Sequence, residues 1–190
     1  TLTEEYAAQD GDVLTGYTQE KLYIEDGATV TFSNLTVSRN GWGVVCRGDA
    51  CIILAEGTMN TVKAGRTAIC MSSNPEKTLT IKGTGSLHAE SSVEGAGIGC
   101  DPDAIDHQRL SFESGNLVIE SGNITAIGCY FKYEFKYLSG PGIGSYGSDD
   151  INITINGGNI KATGGSNSAG IGGDGNMHGG NITINGGTIV

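Results

Sequence analysis

Short runs in which apolar and polar residues alternate recur along the chain, as in Ile153-Thr-Ile155 and Ile182-Thr-Ile184. A period of two is the signature of a strand with one buried face. The runs are punctuated by an apolar residue followed three or four positions later by glycine: Ile24-Glu-Asp-Gly27, Leu54-Ala-Glu-Gly57, Ile81-Lys-Gly-Thr-Gly85, Ile119-Glu-Ser-Gly122, Ile155-Asn-Gly-Gly158 and Ile184-Asn-Gly-Gly187. Their first residues are 30, 27, 38, 36 and 29 positions apart, and each glycine leads within three residues to a further apolar one: Val30, Met59, Leu87, Ile124, Ile160 or Ile189. A second repeat lies between these units, as Gly97-Ile-Gly99, Gly142-Ile-Gly144 and Gly170-Ile-Gly172, with Val44-Val-Cys46 and Ala68-Ile-Cys70 as earlier counterparts.

Three short strands per unit of 27–30 residues make one turn of a parallel β-solenoid, so the fold class is all-β with about six coils and two insertions. Six coils at about 4.8 Å each give a rod of roughly 29 Å. Ile24, Leu54, Ile81, Ile119, Ile155 and Ile184 are expected to stack inward. Asn and Gly suit the corners because they accept positive φ at low cost. The Asn-x-Thr triplets at Asn34, Asn123, Asn152 and Asn181 therefore read as repeat corners before glycan acceptors. Residues 1–190 are expected to form one solenoid domain, with Thr1 to Gly16 an N-terminal cap or a segment packed on the first coil. Thr188-Ile-Val190 stops within a unit and without a polar cap, so the natural chain is expected to continue past Val190.

The spacing also locates the insertions. Ile98 to Ile119 spans 21 residues against 12 from Ile143 to Ile155, which places about eight extra within Asp101 to Leu110. Ile124 to Ile143 spans 19 against 11 from Ile160 to Ile171, which places about eight more within Cys129 to Leu138. One insertion leaves a Gly-Ile-Gly strand and the other enters the next, so together they bracket that sheet. With each Ile inward, the glycines would form a bare outer floor on which a polymer could lie.

Composition narrows the function classes. Thirty-two glycines, no three-residue period and many Ile, Val and Thr exclude collagen and disorder. The net charge of −10 and the lack of a basic cluster argue against nucleic acid and anionic lipid, and no apolar run is long enough for a membrane-spanning helix. Five cysteines without a CxxC pair give neither a disulfide framework nor a zinc site; Cys46 and Cys70, one coil apart, are expected as a stacked thiol ladder or a disulfide.

Gly95-Ala-Gly-Ile-Gly99, Ser168-Ala-Gly-Ile-Gly172 and the Gly179–Gly187 unit resemble the right-handed β-helix repeats of large secreted or surface proteins of gut and clostridial bacteria. Val30 to Ala89 is similar to a clostridial carbohydrate-binding β-helix family whose members bind acidic plant polysaccharide with calcium. The resemblance implies a right-handed parallel β-helix, a secreted or cell-surface setting in a bacterium, and a glycan ligand.

The insertions carry the candidate chemistry. Tyr130, Phe131, Tyr133, Phe135 and Tyr137 are five of the twelve aromatic residues and alternate with charge from Phe131 onward. They would stack on sugar rings, anchor a partner protein, or fold over the solenoid's own apolar surface. Asp101, Asp103 and His107 are expected beside them as ligand-binding groups. Stacking could align Asp101 or Asp103 with Asp149 and Asp174 into a calcium-binding column, since such oxygen ligands suit Ca²⁺. The same carboxylates, with Asp106 and Asp150, could supply the pair a glycoside hydrolase needs, or stand as plain Asp-rich turns. His178 reads as a surface residue, and His88, with only Glu90 for acidic company, receives no role. No organic cofactor is implied. The leading expectation is a noncatalytic carbohydrate-binding or adhesion module recognising polysaccharide or another surface protein. The alternatives are a fragment of a polysaccharide hydrolase or lyase using paired aspartates, and a structural spacer.

Overall fold

The computed structural model describes residues 4–101, 114–133, 136–147, 151–175 and 179–190. It is a right-handed parallel β-helix. One sheet stacks seven short strands, Tyr6–Ala8, Leu22–Ile24, Val44–Cys46, Ile69–Met71, Ile98–Cys100, Ile143–Ser145 and Ile171–Gly173. A longer sheet of two arms closes the tube. Its first arm is Ala28–Arg39 (amino-terminal half), Ala50–Leu54, Thr78–Gly83, Asn116–Ile119, Asn152–Ile155 and Asn181–Ile184. The second arm is the carboxy-terminal half of Ala28–Arg39, then Met59–Ala64, Ser86–Ser91, Asn123–Ile127, Asn159–Thr163 and Thr188–Ile189. All these pairings are parallel, in near-perfect register from coil to coil.

The six expected coils are present, and Tyr6–Ala8 with Val13–Thr18 add a turn at the amino-terminal end, pairing with Leu22–Ile24 and Ala28–Arg39. This is the place where a cap or packed segment was expected. The early turns are short. From Tyr6 to Leu22 is 16 residues, from Leu22 to Val44 is 22 and from Val44 to Ile69 is 25, against 29 from Ile69 to Ile98. A short turn closes because Ala28–Arg39 serves both arms as one strand, bent at Asn34, whose φ of 56° is a left-handed conformation that asparagine tolerates.

That taper changes the expected ladder. The inward column runs Val30, Ile52, Ile81, Ile119, Ile155, Ile184. Leu54 lies two residues further on, between Phe32 and Gly83, and Ile24 belongs to the short sheet between Ala8 and Cys46. Ile24-Glu-Asp-Gly27 lies at the corner between the short sheet and the first arm, whereas the other five motifs lie at the corner between the two arms. All six expected residues are buried except Ile184, which is 52 % exposed in the last coil.

The neighbouring column is also corrected at one position. Leu87, Ile124, Ile160 and Ile189 stack, but Leu87 pairs with Asn60, and Met59 points outward at 69 % exposure. The buried Asn60 is tolerated because its amide bonds are satisfied. Its Oδ1 accepts from the Leu35 N–H at 3.0 Å, and its Nδ2 donates to the Ser86 carbonyl at 3.1 Å and to Thr58 Oγ1 at 3.3 Å.

Asparagines zip the corners. Asn181 donates to Asn152, and Asn152 to Asn116, each at 3.0 Å; Asn159 donates to Asn123 at 2.8 Å, and Asn185 to Asn156 at 2.8 Å. Three of the Asn-x-Thr triplets are thus rungs of amide ladders.

Candidate functional site

The second insertion is a hairpin outside both stacked sheets, as its spacing implied. Tyr130–Tyr133 pairs antiparallel with Lys136–Ser139 only. Its base is clamped between coils: the Cys129 N–H donates to the Gly95 carbonyl, the Gly165 N–H to the Gly140 carbonyl, and the Ser139 and Ser168 hydroxyls share a hydrogen bond of 2.9 Å. Tyr130 and Phe131 are exposed. The register sets Lys132 opposite Tyr137 and Tyr133 opposite Lys136. Phe135 lies outside the described residues.

Gly99, Gly144 and Gly172 stack as expected but are buried, and do not form an open floor. Their role is steric. Gly144 has φ of 149°, and a Cβ there would run into the carbonyl oxygen of Gly172 on the next coil. At Gly99 and Gly144 the stacked coil leaves no room for a Cβ.

In the earlier coils the same outer face is covered by side chains. Val45 pairs with Cys70, beneath Tyr23 and Trp42. Cys46 therefore sits one position along from Cys70, its side chain in the inner core and that of Cys70 in the outer cluster. The thiol ladder and the disulfide expected of this pair are both overturned by the register, and both thiols are free. Burial pushes the Cys46 thiol up to about 12.

Arg66 lies 4.4 Å from the Trp42 ring centre and Arg47 4.0 Å from that of Tyr23, so cations cover these rings. Asp101, 1 % exposed, belongs to this assembly. Its Oδ2 accepts from Trp42 Nε1 at 2.8 Å and Thr67 Oγ1 at 3.4 Å, with Arg66 Nε at 3.5 Å. Nearby, the Tyr146 hydroxyl donates to Glu94 at 3.1 Å, and burial followed by the Glu94 charge raises its pKa. Asp174 Oδ2 accepts from the Gly147 N–H at 3.2 Å. Asp103, Asp106, His107, Asp149, Asp150 and His178 lie outside the described residues. Among the described residues no three His, Cys, Asp or Glu side chains group as metal ligands. Asp101 does not fit a calcium site, because a guanidinium already faces its carboxylate.

The open feature is elsewhere, on the outer face of the second long arm. A groove of about 660 Å³ crosses five coils, from Met59 to Val190. Alternation dictates its lining, since every second residue of each strand points out. One row is Thr61, His88, Thr125, Lys161, and the row beside it is Met59, Ser86, Asn123, Asn159, Thr188. The amide ladder holds Asn123 and Asn159 in place. At the groove's margin Glu90 Oε2 lies 2.9 Å from His88 Nε2 and 3.0 Å from Lys63 Nζ. The hydrogen bond with His88, then that with Lys63, hold the Glu90 carboxyl below its ordinary value.

The sequence reading missed this face. His88 was dismissed for having only Glu90 beside it, yet stacking supplies Lys63 from one coil back and Thr125 and Lys161 from the coils ahead. Two-residue alternation combined with coil register was the available signal. The groove offers hydroxyl, amide and ammonium groups with apolar surface between them, the mixture that saccharides and extended peptides both use. Its described lining residues include no carboxylate, and Glu90 stands at its margin.

The family model of the Beta helix repeat matches residues 79–101, 117–148 and 153–176. These segments hold the later coils, where the turns reach full size. No curated protein and no solved structure matches the chain.

Proposed function

We propose that the chain is a noncatalytic carbohydrate-binding or adhesion module of a bacterial secreted or cell-surface protein, and that its ligand lies along the outer groove from Met59 to Val190. The carrying observation is the groove itself. It is open to solvent, spans five coils, and repeats hydrogen-bonding side chains at the strand spacing of about 4.8 Å. A polymer aligned with the solenoid axis meets a similar row at each step. The exposed Tyr130 and Phe131 of the hairpin offer a second apolar contact for the same ligand or a neighbouring surface protein. Calcium has no part in this reading, since the described candidates Asp101 and Asp174 are engaged by protein donors.

The test is a glycan-array screen with product analysis. Thr125, between His88 and Lys161, is changed to Trp to fill the groove, and Thr154→Trp on the opposite arm serves as control. Binding without turnover, lost in Thr125→Trp and kept in Thr154→Trp, is the expected result. Product formation would make the chain an enzyme fragment, and silence across the array would leave a structural spacer.

A further inference from the structure

The chain contains three Asn-Gly pairs, Asn40-Gly41, Asn156-Gly157 and Asn185-Gly186. In such a pair the glycine nitrogen can attack the asparagine side-chain carbonyl carbon, because glycine has no Cβ to obstruct the approach and its backbone bends at low cost. The coil holds the three carboxamides differently. Asn156 is a rung of a corner ladder: its Nδ2 donates to Glu120 Oε2 at 3.0 Å and its Oδ1 accepts from Asn185 Nδ2 at 2.8 Å. Asn185, in the last coil, keeps only the second of these bonds. Asn40 is exposed just past the end of the strand Ala28–Arg39, and its carboxamide bonds to no described residue. It lines an open cleft of about 510 Å³.

The backbone around Asn40 is, by contrast, fixed. The Gly65 N–H donates to the Arg39 carbonyl at 2.9 Å and the Arg66 N–H to the Gly41 carbonyl at 3.2 Å, tying both flanks to the next coil. The Gly41 N–H has no acceptor among the described residues. One residue further on, Trp42 Nε1 donates to Asp101 at 2.8 Å, and the Trp42 ring lies 4.4 Å from the Arg66 guanidinium.

We propose that Asn40-Gly41 is a self-modification site, at which the folded chain deamidates while the two ladder asparagines are protected. The Gly41 nitrogen bonds to Asn40 Cγ and passes its proton through solvent to the departing amine. The Cγ–Nδ2 bond breaks, ammonia leaves, and a succinimide ring closes. Water then opens the ring. Attack at Cγ restores the ordinary backbone with aspartate at position 40, whereas attack at the main-chain carbonyl carbon breaks its bond to the Gly41 nitrogen and routes the chain through Cβ and Cγ as isoaspartate. Each ladder bond must open before Cγ can swing to the glycine nitrogen, and one net hydrogen bond slows such a step about fivefold, two about thirtyfold. The rates therefore fall in the order Asn40, Asn185, Asn156. Isoaspartate also lengthens the backbone between two carbonyls pinned to Gly65 and Arg66, so it loosens the coil at Trp42, while aspartate leaves the backbone path unchanged.

The experiment follows the native chain in mildly alkaline buffer by peptide mass spectrometry, reading the amide-to-acid mass change at each pair, with a parallel sample in concentrated urea. In the folded chain Asn185 converts about fivefold faster than Asn156, and Asn40 faster than both. In urea Asn156 and Asn185, which share the sequence Ile-Asn-Gly-Gly, convert at the same rate, and the lead of Asn40 shrinks to what its neighbours in sequence dictate. Isoaspartyl methyltransferase with S-adenosylmethionine labels the Asn40 peptide of the aged chain, and Gly41→Ala suppresses that label. The aged chain melts below the Asn40→Asp variant, which carries the new charge without the longer backbone. Conversion at Asn40 no faster than at Asn156 in the folded chain, or an order that persists undiminished in urea, overturns the proposal.

Discussion

Truncating one residue of the inner ladder at two heights tests the stacking directly. Ile119 is fully buried between Ile81 and Ile155, whereas Ile184 holds the same column in the last coil at 52 % exposure. Changing isoleucine to alanine deletes three carbon atoms, about 2.4 kcal/mol of transfer free energy when the site is dry. The ladder above and below Ile119 cannot collapse into the gap without disturbing two registers, so a cavity term adds to it and the expected loss is about 3–4 kcal/mol. Ile184→Ala loses only part of the transfer term and leaves no enclosed cavity, so about 1 kcal/mol is expected. For a chain of this size each kcal/mol moves the melting temperature by about 2–4 °C, so the two variants differ by roughly 4–12 °C. Urea unfolding followed by circular dichroism, with the slope compared to confirm an unchanged transition, reads the free energies. Equal losses at the two positions, or a larger one at Ile184, would refute the column.

Four further outcomes follow from individual contacts. Gly144→Ala is expected to be severe, because its Cβ meets the Gly172 carbonyl, whereas Gly27→Ala, with open space around it, costs only the strain of a left-handed alanine, about 1–2 kcal/mol by thermal melt. Asn60→Ala leaves the Leu35 N–H and the Ser86 carbonyl without their partner and should cost about 2–3 kcal/mol in the same assay. The Glu90 carboxyl, held below its ordinary 4.5, contributes stability in full above that pH and loses it as pH falls through its lower folded value; Glu90→Gln should flatten this acid limb in a melt-versus-pH series. Because Arg66 already faces Asp101, melts in millimolar Ca²⁺ and in excess chelator should coincide, and a rise with Ca²⁺ would put an ion on the acidic loops.

The coil and its corners were readable because they are local and repeated. Ile153-Thr-Ile155 and Ile182-Thr-Ile184 announce strands by alternation, and an eight-residue excess in spacing exposes the Tyr130–Ser139 hairpin. Phase was harder, because phase is a property of neighbouring coils. Ile24 and Leu54 fit the glycine motif but sit in other columns, Ile24 in the short sheet and Leu54 two residues past Ile52 in its own strand. Met59 carries the hydrophobicity of a core position, yet the buried place belongs to Asn60, whose amide bonds to adjacent coils no linear pattern reveals. Asp101 offered the right chemistry for an ion, but Trp42 and Arg66, 59 and 35 positions earlier in the sequence, claim it. His88 looked solitary only along its own strand.

The most direct measurement is backbone amide chemical-shift mapping with a glycan identified on the array. The account predicts perturbations centred on the strands Met59–Ala64, Ser86–Ser91, Asn123–Ile127, Asn159–Thr163 and Thr188–Ile189, strongest around His88, Thr125 and Lys161, with the Asn152–Ile155 arm silent. Perturbations centred on Ile98–Cys100 and Ile143–Ser145 instead, with the Thr125 row unmoved, would contradict it.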